Sequence, residues 1–213
     1  MADGPHQGQT VVRAGTAVEE AEAAVIAVHG RGATAPSILQ LAEEIGQANM
    51  AYVAPQAAGN TWYSYSFLEQ MERNEPGLSS GLQAIDDVVS ELERGGIPAA
   101  KIVLMGFSQG ACLASEYVAR HAQRYGGLVV FSGGVIGPEG TPRDYEGSLD
   151  GTPIFIGCSD VDAHIPLQRV HETAAVMDAL GGDVDKRIYA GMGHTINQDE
   201  LEAARDLISK VAG

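Results

Sequence analysis

One pentapeptide in the sequence has the residue types and spacing of a nucleophilic serine. Gly106-Phe107-Ser108-Gln109-Gly110 fits the pattern G-x-S-x-G, in which the serine occupies a tight turn between a strand and a helix. The glycines leave room for that turn, so that the hydroxyl group stands free above a sheet. The apolar run Lys101–Met105 precedes the motif, and Ala111–Ala114 is typical of a helix start. The sequence therefore predicts that Ser108 is a nucleophile.

A second match to the same pattern, Gly77-Leu78-Ser79-Ser80-Gly81, lacks this context. The residues before it, Arg73–Pro76, do not form a strand pattern. We interpret this match as the beginning of a helix, with Ser79 or Ser80 as the capping residue.

The acid and base that serve such a serine follow it along the chain in the order Ser, acid, His. His194 is the strongest candidate for the base because it ends a glycine-rich loop directly after a predicted strand that closes at Tyr189. The loop after the preceding strand contains Asp160 and Asp162, and their spacing does not separate them. One is expected to accept the imidazole N–H, and the other to brace the loop.

Acyl transfer also needs two N–H donors for the negative charge that develops on the carbonyl oxygen. One is expected from Gln109, which directly follows the nucleophile, and the other from the loop after the first central strand. In that loop, His29-Gly30-Arg31-Gly32-Ala33, glycines on both sides favour the main-chain N–H of Arg31. The Arg31 side chain is expected to be exposed, with contact to an anionic substrate as the alternative.

The same loop also fits a dinucleotide-binding pattern, G-x-G-x-x-A, over Gly30–Ala35. That pattern requires an acidic residue about 20 positions later for the ribose. The corresponding segment, Asn49–Pro55, contains no Asp or Glu, and Pro36 delays the start of the helix. Because metal-binding and Walker motifs are also missing, we predict no cofactor and no metal site.

Aromatic side chains cluster in a long loop at Thr61–Phe67. Trp62, Tyr63, Tyr65 and Phe67 are predicted to form the wall of a substrate pocket. The alternative is a small hydrophobic cluster that pins the loop. The loop is too short for a large cap, so we expect an open cleft with modest acyl-chain selectivity. His164 is expected at the rim of this pocket or on the surface.

Composition excludes several classes of function. The chain of 213 residues carries 28 acidic and 13 basic side chains, a net charge of −15, which disfavours binding to nucleic acid and to anionic membranes. No apolar run is long enough to span a membrane, and Met1–Gly15 lacks the pattern of a secretory signal. The two cysteines make no disulfide framework. These observations together predict a cytoplasmic protein without a stable membrane association.

Apolar runs alternate with helical patterns along the whole chain, which predicts a single α/β domain over residues 1–213 with a mostly parallel sheet covered on both faces. Strands are predicted at 24–28, 51–54, 102–105, 128–131, 154–156 and 186–189. Helices are predicted at 38–45, 78–92, 111–121, 167–180 and 200–211. Two long connections, 55–77 and 133–152, are expected to be functional because loops of this length are unusual in a compact domain.

The motifs in combination resemble the phospholipase/carboxylesterase family of α/β-hydrolases, which includes bacterial carboxylesterases and acyl-protein thioesterases. The resemblance spans Val25–Val211. It is carried by V-H-G-R-G at 28–32, A-P-Q at 54–56, T-W-Y at 61–63, G-F-S-Q-G-A at 106–111, S-G-G at 132–134, D-A-H-I-P at 162–166 and G-M-G-H at 191–194.

The resemblance implies an α/β-hydrolase fold without a large cap domain and a catalytic triad of Ser108, Asp162 and His194. It selects Asp162 over Asp160, because Asp162 aligns with the aspartate of the family pattern D-P-H-I-P. It also supports the main-chain N–H groups of Arg31 and Gln109 as oxyanion donors.

The activity implied is that of a carboxylesterase acting on small ester substrates with short to medium acyl chains. A lysophospholipase or acyl thioesterase of the same family is the alternative, and a non-catalytic binding protein is a more remote one. Relatives often pair as homodimers. Arg31 replaces an apolar residue of many relatives and, with N-E-P-G-L at 74–78, matches a bacterial subset.

Overall fold

The computed structural model describes residues 4–212, which build a seven-stranded sheet with helices on both faces. The strands are β1 (Val11–Gly15), β2 (Ala23–Val28), β3 (Met50–Pro55), β4 (Ile102–Phe107), β5 (Gly127–Phe131), β6 (Pro153–Ser159) and β7 (Asp183–Tyr189). The longer helices are α1 (Ala35–Ile45), α2 (Gly77–Arg94), α3 (Gln109–Arg120), α4 (Leu167–Ala179) and α5 (Gln198–Ala212).

The sheet has the strand order β1-β3-β2-β4-β5-β6-β7 and is parallel except at one edge. All neighbouring pairs from β3 to β7 run parallel, and β1 pairs antiparallel with β3. The six predicted strands and five predicted helices are confirmed with small shifts at their ends. Strand β1 was not predicted, because its residues are half exposed and carry no continuous apolar signal.

The central strands are apolar throughout because both of their faces are buried. In β2, Ala24, Ile26 and Val28 point into the core beneath α2, α3 and α4, whereas Val25 and Ala27 point into the core beneath α1 and α5. This alternation has the period of two that a strand imposes on its side chains. Two separate hydrophobic layers therefore cover the two faces of the sheet at the strands that end in the polar loops.

The two long connections contribute differently to the molecule. Residues 56–76 contain two 3₁₀ helices, Ala58–Asn60 and Met71–Asn74, and bring the aromatic segment over the carboxyl ends of the central strands. The second connection contributes no residue to the cavity there, contrary to expectation. It is held instead by polar contacts: buried Glu116 accepts from the Ile136 N–H, and Arg143 pairs with Glu172. No helix within residues 4–212 is long and apolar enough to cross a membrane.

Candidate active site

Ser108 lies on a strained turn between β4 and α3. Its backbone has φ of 55° and ψ of −121°, a conformation that costs energy for any residue with a side chain. The main-chain N–H of Ser108 donates to the Phe131 carbonyl at 3.0 Å, which ties the turn to β5. A Cβ at Gly106 would lie 2.5 Å from the Gly110 carbonyl carbon, and one at Gly110 would lie 2.1 Å from the Val28 oxygen. Both glycines are therefore required by close backbone packing.

Three residues from three loops meet at this turn. Nε2 of His194 lies 2.9 Å from Oγ of Ser108, and Nδ1 of the same ring lies 2.7 Å from Oδ2 of Asp162. The carboxylate is inaccessible to solvent, whereas 19% of the His194 side chain is exposed. With the proton on Nδ1 donated to Asp162, the free Nε2 faces the serine hydroxyl. This arrangement lets the imidazole accept a proton from Ser108.

The loop that carries His194 is braced by β6 and the turn that follows it. Oγ of Ser159 accepts the Gly193 N–H at 3.0 Å, and Oδ1 of Asp160 accepts the Gly191 N–H at 2.8 Å. The two aspartates that the sequence left open thus have different partners. Asp160 holds the backbone of the loop, and Asp162 contacts the imidazole.

Asp162 is kept ionised by its hydrogen bonds. Burial acts to raise the pKa of this carboxyl, but donation from His194 and from the N–H groups of His164 and Ile165 outweighs it and lowers the pKa below its usual value. The two main-chain bonds, at 2.8 and 3.0 Å to Oδ1, also fix the orientation of the carboxylate. Oδ2 is consequently available for the imidazole.

The two residues that are expected to supply the oxyanion donors lie at the same cavity as the serine. Arg31 and Gln109 both line the cavity above Ser108. In the described residues, neither main-chain N–H donates to a protein acceptor. Gln109 is also the first residue of α3, so its N–H carries the partial positive charge of a helix start.

A cavity of about 520 Å³ opens in front of Ser108 and His194. Its walls come from the loop after β2, the aromatic segment, the start of α3 and the turn after β6. The lining residues are Gly30, Arg31, Ala33, Tyr63, Ser64, Tyr65, Ser66, Phe67, Phe107, Ser108, Gln109, Cys112, His164, Ile165 and His194. Tyr63, Tyr65 and Phe67 thus lie where the sequence predicted a pocket wall. His164 also lines the cavity, so that of its two expected positions, pocket rim or surface, it takes the rim.

Trp62 does not line this cavity, which corrects the sequence prediction. Its side chain is fully buried behind the wall, and its indole N–H donates to the His29 carbonyl at 2.9 Å. The rings of His6 and His29 lie 5.2 and 5.0 Å from the indole ring. Burial lowers the pKa of both histidines. Trp62 therefore supports the loop from beneath, as the alternative interpretation of the aromatic cluster proposed.

The side chain of Gln109 joins the serine turn to the aromatic segment, a role that the sequence did not reveal. Its Oε1 accepts the Trp62 N–H at 3.0 Å, and its Nε2 donates to the Tyr63 carbonyl at 2.8 Å. Only 5% of Gln109 is exposed. Gln109, which is expected to supply an oxyanion N–H, thus also fixes the position of the cavity wall.

The second G-x-S-x-G match lies at the beginning of α2, but its serines are not the capping residues we predicted. The helix begins at Gly77, and the carboxylate of Glu75 accepts both the N–H and the hydroxyl of Ser79, at 3.1 and 2.7 Å. Ser80 is buried and binds the N-terminal segment instead, where its Oγ accepts the His6 N–H. Glu75 therefore stabilises the start of this helix.

The start of α1, where the dinucleotide pattern lies, is occupied by protein acceptors. Thr34 and Ser37 form a capping box, and Oε1 of Gln56 accepts the Ala35 N–H at 2.8 Å. Within residues 4–212, no group of three or more His, Cys, Asp or Glu side chains is arranged to hold a metal ion.

The two cysteines are buried and free, and neither is poised as a nucleophile. Cys112 lies at the cavity wall, where burial raises the pKa of its thiol to about 12. Burial also raises the pKa of the Cys158 thiol to about 12. Both side chains are therefore neutral thiols near neutral pH.

A buried carboxyl lies behind the histidine loop and was not found from the sequence. Glu200, in the first turn of α5, is inaccessible to solvent, and its Oε2 accepts the Asn197 N–H at 2.8 Å. Its other oxygen has no hydrogen-bond partner among the described residues and lies against Gly157 of β6. Burial raises the pKa of this carboxyl to about 7.

The sheet order, the serine turn after β4 and the loops after β6 and β7 define the α/β-hydrolase fold. The family model of phospholipases and carboxylesterases matches residues 9–212, and the chain belongs to this family. The resemblance found from the motifs is confirmed.

Solved structures and curated relatives agree with this assignment. A phospholipase/carboxylesterase from Dyadobacter fermentans has a TM-score of 0.91 and 40% identity, with 95% of this chain and 97% of that chain covered. The carboxylesterase of Bacillus cereus shares the fold, with a TM-score of 0.72 and 17% identity over 96% of this chain and 95% of its own. Acyl-protein thioesterase 1 of Debaryomyces hansenii is 26% identical over 94% of this chain and 96% of its own length. The chain is accordingly an ester-hydrolysing enzyme of this family.

Proposed function

We propose that the protein is a serine carboxylesterase that hydrolyses short- to medium-chain carboxylic esters through an acyl-enzyme. The observation that carries this proposal is the chain of contacts from Ser108 through His194 to buried Asp162, at 2.9 and 2.7 Å. Such a chain gives a serine hydroxyl the base that it needs to attack a carbonyl carbon. No metal or organic cofactor is required for this chemistry.

In the first step, Oγ of Ser108 attacks the ester carbonyl while Nε2 of His194 takes the hydroxyl proton. Asp162 holds the imidazole in the tautomer with its proton on Nδ1 and stabilises the imidazolium that forms. The N–H groups of Arg31 and Gln109 stabilise the oxyanion. When the tetrahedral intermediate collapses, His194 gives its proton to the leaving alcohol, and the acyl group stays on Ser108.

In the second step, water attacks the acyl-enzyme with the same assistance. His194 takes a proton from the water, the oxyanion forms again at the same N–H groups, and the carboxylic acid leaves as Ser108 recovers its proton. In each step His194 acts first as a base and then as an acid. It takes the proton of Ser108 in the first step and returns a proton to Ser108 in the second. The partial exposure of His194, at 19%, gives water access to it.

The open cavity supports small esters as substrates. Its volume of about 520 Å³ lies within the range of ordinary small-molecule sites, and the connections around it carry no cap. A thioesterase or lysophospholipase activity is the alternative, since Acyl-protein thioesterase 1 from a yeast is among the relatives and the same triad serves thioesters. The cytoplasmic location and pairing as a homodimer stay predictions.

Steady-state kinetics with 4-nitrophenyl esters from acetate to palmitate tests the proposal. We expect turnover to be highest for short and medium chains, and Ser108→Ala to lose several orders of magnitude in rate while its fold stays intact. Ser79→Ala, the matched change in the other G-x-S-x-G segment, is expected to keep full activity. Turnover by Ser108→Ala at the wild-type rate would overturn the proposal. Hydrolysis of acyl thioesters but of no oxygen ester would select the alternative.

A further inference from the structure

One cation lies at the cavity without an acidic partner. Arg31 is exposed, and its guanidinium donates from Nη1 to the Ser64 carbonyl at 3.0 Å and from Nη2 to the Tyr65 carbonyl at 2.7 Å. These acceptors are neutral main-chain oxygens, so the positive charge is not balanced by them. A guanidinium has five N–H bonds, of which this geometry uses two. Three donors remain for another group.

The cavity contrasts in charge with the rest of the molecule. The chain carries a net charge of −15, yet none of the described residues that line the cavity is Asp or Glu. Asp162 lies behind the wall, inaccessible to solvent and hydrogen-bonded to His194. The charged side chain that the cavity presents to a substrate is therefore Arg31, the residue whose main-chain N–H is proposed above as an oxyanion donor.

We infer that the preferred substrates are esters that carry a second, anionic group such as a carboxylate, which binds the free N–H bonds of Arg31. This inference rests on the serine esterase function proposed above and adds the substrate class. Arg31 supplies both the proposed oxyanion N–H and the guanidinium. The length of its side chain therefore limits the distance between the two sites, which corresponds to a carboxylate a few bonds from the scissile carbonyl. A guanidinium matches a carboxylate in geometry as well as in charge.

A neighbouring arginine offers a matched control. Arg73 stacks on the ring of Tyr65, with its guanidinium carbon 4.4 Å from the ring centre, but it does not line the cavity. It is paired with Glu69 at 2.7 Å. Arg73→Gln therefore removes one positive charge beside the same segment without removing a group that faces the substrate.

The test compares pairs of esters of similar length, of which one member carries a carboxylate and the other is neutral. The 4-nitrophenyl monoester of adipic acid is paired with 4-nitrophenyl hexanoate to place the carboxylate on the acyl side. Hexanoate esters of 3-hydroxybenzoate and 3-hydroxybenzamide place it on the alcohol side. For each pair, the ratio of kcat/KM for the anionic ester to that for the neutral ester is measured in the wild type, Arg31→Gln and Arg73→Gln, with background hydrolysis subtracted.

We expect the wild type to prefer the anionic member of at least one pair. Arg31→Gln, which keeps the main-chain N–H, should lower that ratio by about tenfold or more, because a charge-assisted hydrogen bond is lost. Arg73→Gln should change it by less than about twofold, because this charge is paired with Glu69 and does not line the cavity. Added salt should reduce the wild-type preference by screening. The pair that responds identifies the side of the ester that carries the anion.

Two results would overturn this inference alone. One is a wild type that hydrolyses both neutral esters better than their anionic partners. The other is an Arg31→Gln protein, folded by circular dichroism, that loses activity equally on the two members of each pair, since Arg31 would then only tether the aromatic segment. A wild type that hydrolyses none of the four esters would instead overturn the serine esterase proposal, and the inference with it.

Discussion

Nδ1 of His194 lies 2.7 Å from Oδ2 of Asp162, and the carboxylate makes this contact while it is inaccessible to solvent. The position of Asp162 is set from the other side by the N–H groups of His164 and Ile165, which donate to Oδ1. The imidazole is therefore held in one orientation and one tautomer. This contact determines which ring nitrogen faces Ser108.

Replacement of this carboxylate by an amide is expected to disable the base while the fold is kept. In Asp162→Asn, the amide N–H₂ would face Nδ1 and favour the tautomer with its proton on Nε2, which cannot accept the serine proton. We expect kcat to fall by about three to four orders of magnitude. Steady-state hydrolysis of 4-nitrophenyl butyrate measures the loss.

Asp160→Asn is the matched control for this change. Asp160 accepts the Gly191 N–H and has no contact with the imidazole. Its amide variant can keep that hydrogen bond, so kcat should stay within about tenfold of the wild type. If Asp160→Asn lost as much activity as Asp162→Asn, the assignment of Asp162 as the orienting acid would be wrong.

The chain-length preference is expected to depend on Tyr65 and not on Trp62. Tyr65 lines the cavity with 49% of its surface exposed, and its polar contacts to Arg31 and Asn74 are made by main-chain atoms. Tyr65→Ala should therefore shift the acyl-chain profile, while the free energy of unfolding falls by about 1 kcal/mol because the stacking of Arg73 on the ring is lost. An unchanged profile would show that Tyr65 does not contact the acyl chain.

Trp62→Phe should have the opposite effect. The substitution leaves a void in the core and removes the donor to the buried His29 carbonyl. We expect a loss of about 2–4 kcal/mol in the free energy of unfolding with the acyl-chain profile retained. Urea denaturation and the ester series together check this outcome. A stable variant with a changed acyl-chain profile would contradict this prediction and show that Trp62 forms part of the pocket wall.

Glu200 should make the protein less stable as the pH rises. Because the pKa of this carboxyl is about 7 in the folded protein, above its ordinary value of 4.5, the folded state binds the proton more tightly than the unfolded state. Its ionisation therefore lowers the free energy of unfolding between about pH 4.5 and 7, by about 3 kcal/mol in total.

Glu200→Gln should remove this dependence, since the amide oxygen can still accept the Asn197 N–H. Urea denaturation at pH 5 and pH 8 should show that the variant and the wild type are similar at pH 5 and that the variant is the more stable at pH 8. Equal differences at the two pH values would mean that Glu200 does not titrate in this range.

The sequence predicted most of the fold because the central strands are buried on both faces and therefore read as continuous apolar runs. Strand β1 was missed for the complementary reason. It lies at the edge, Arg13 interrupts it, and its antiparallel partner β3 is more than 30 residues away along the chain. Only tertiary pairing defines such a strand.

The candidate site was predictable where a residue type at one place carries the chemistry, as at Ser108 and His194. It was not predictable where the role of a residue depends on the direction in which its side chain points. The aromatic segment contains four rings within seven residues, but the sequence does not show that Trp62 points into the core while Tyr65 points to the cavity. Spacing likewise could not separate Asp160 from Asp162, because both follow the same strand and only the path of the loop gives one of them the imidazole.

Covalent labelling of Ser108 tests the central claim most directly. An organophosphate ester, diethyl 4-nitrophenyl phosphate, transfers its diethyl phosphoryl group to an activated serine and releases 4-nitrophenolate. Mass spectrometry of the intact protein, followed by peptide mapping, locates the adduct. We predict a single adduct on Ser108 in the wild type and in Ser79→Ala, and no adduct in Ser108→Ala. An adduct on another residue, or equal labelling of Ser108→Ala, would contradict the account.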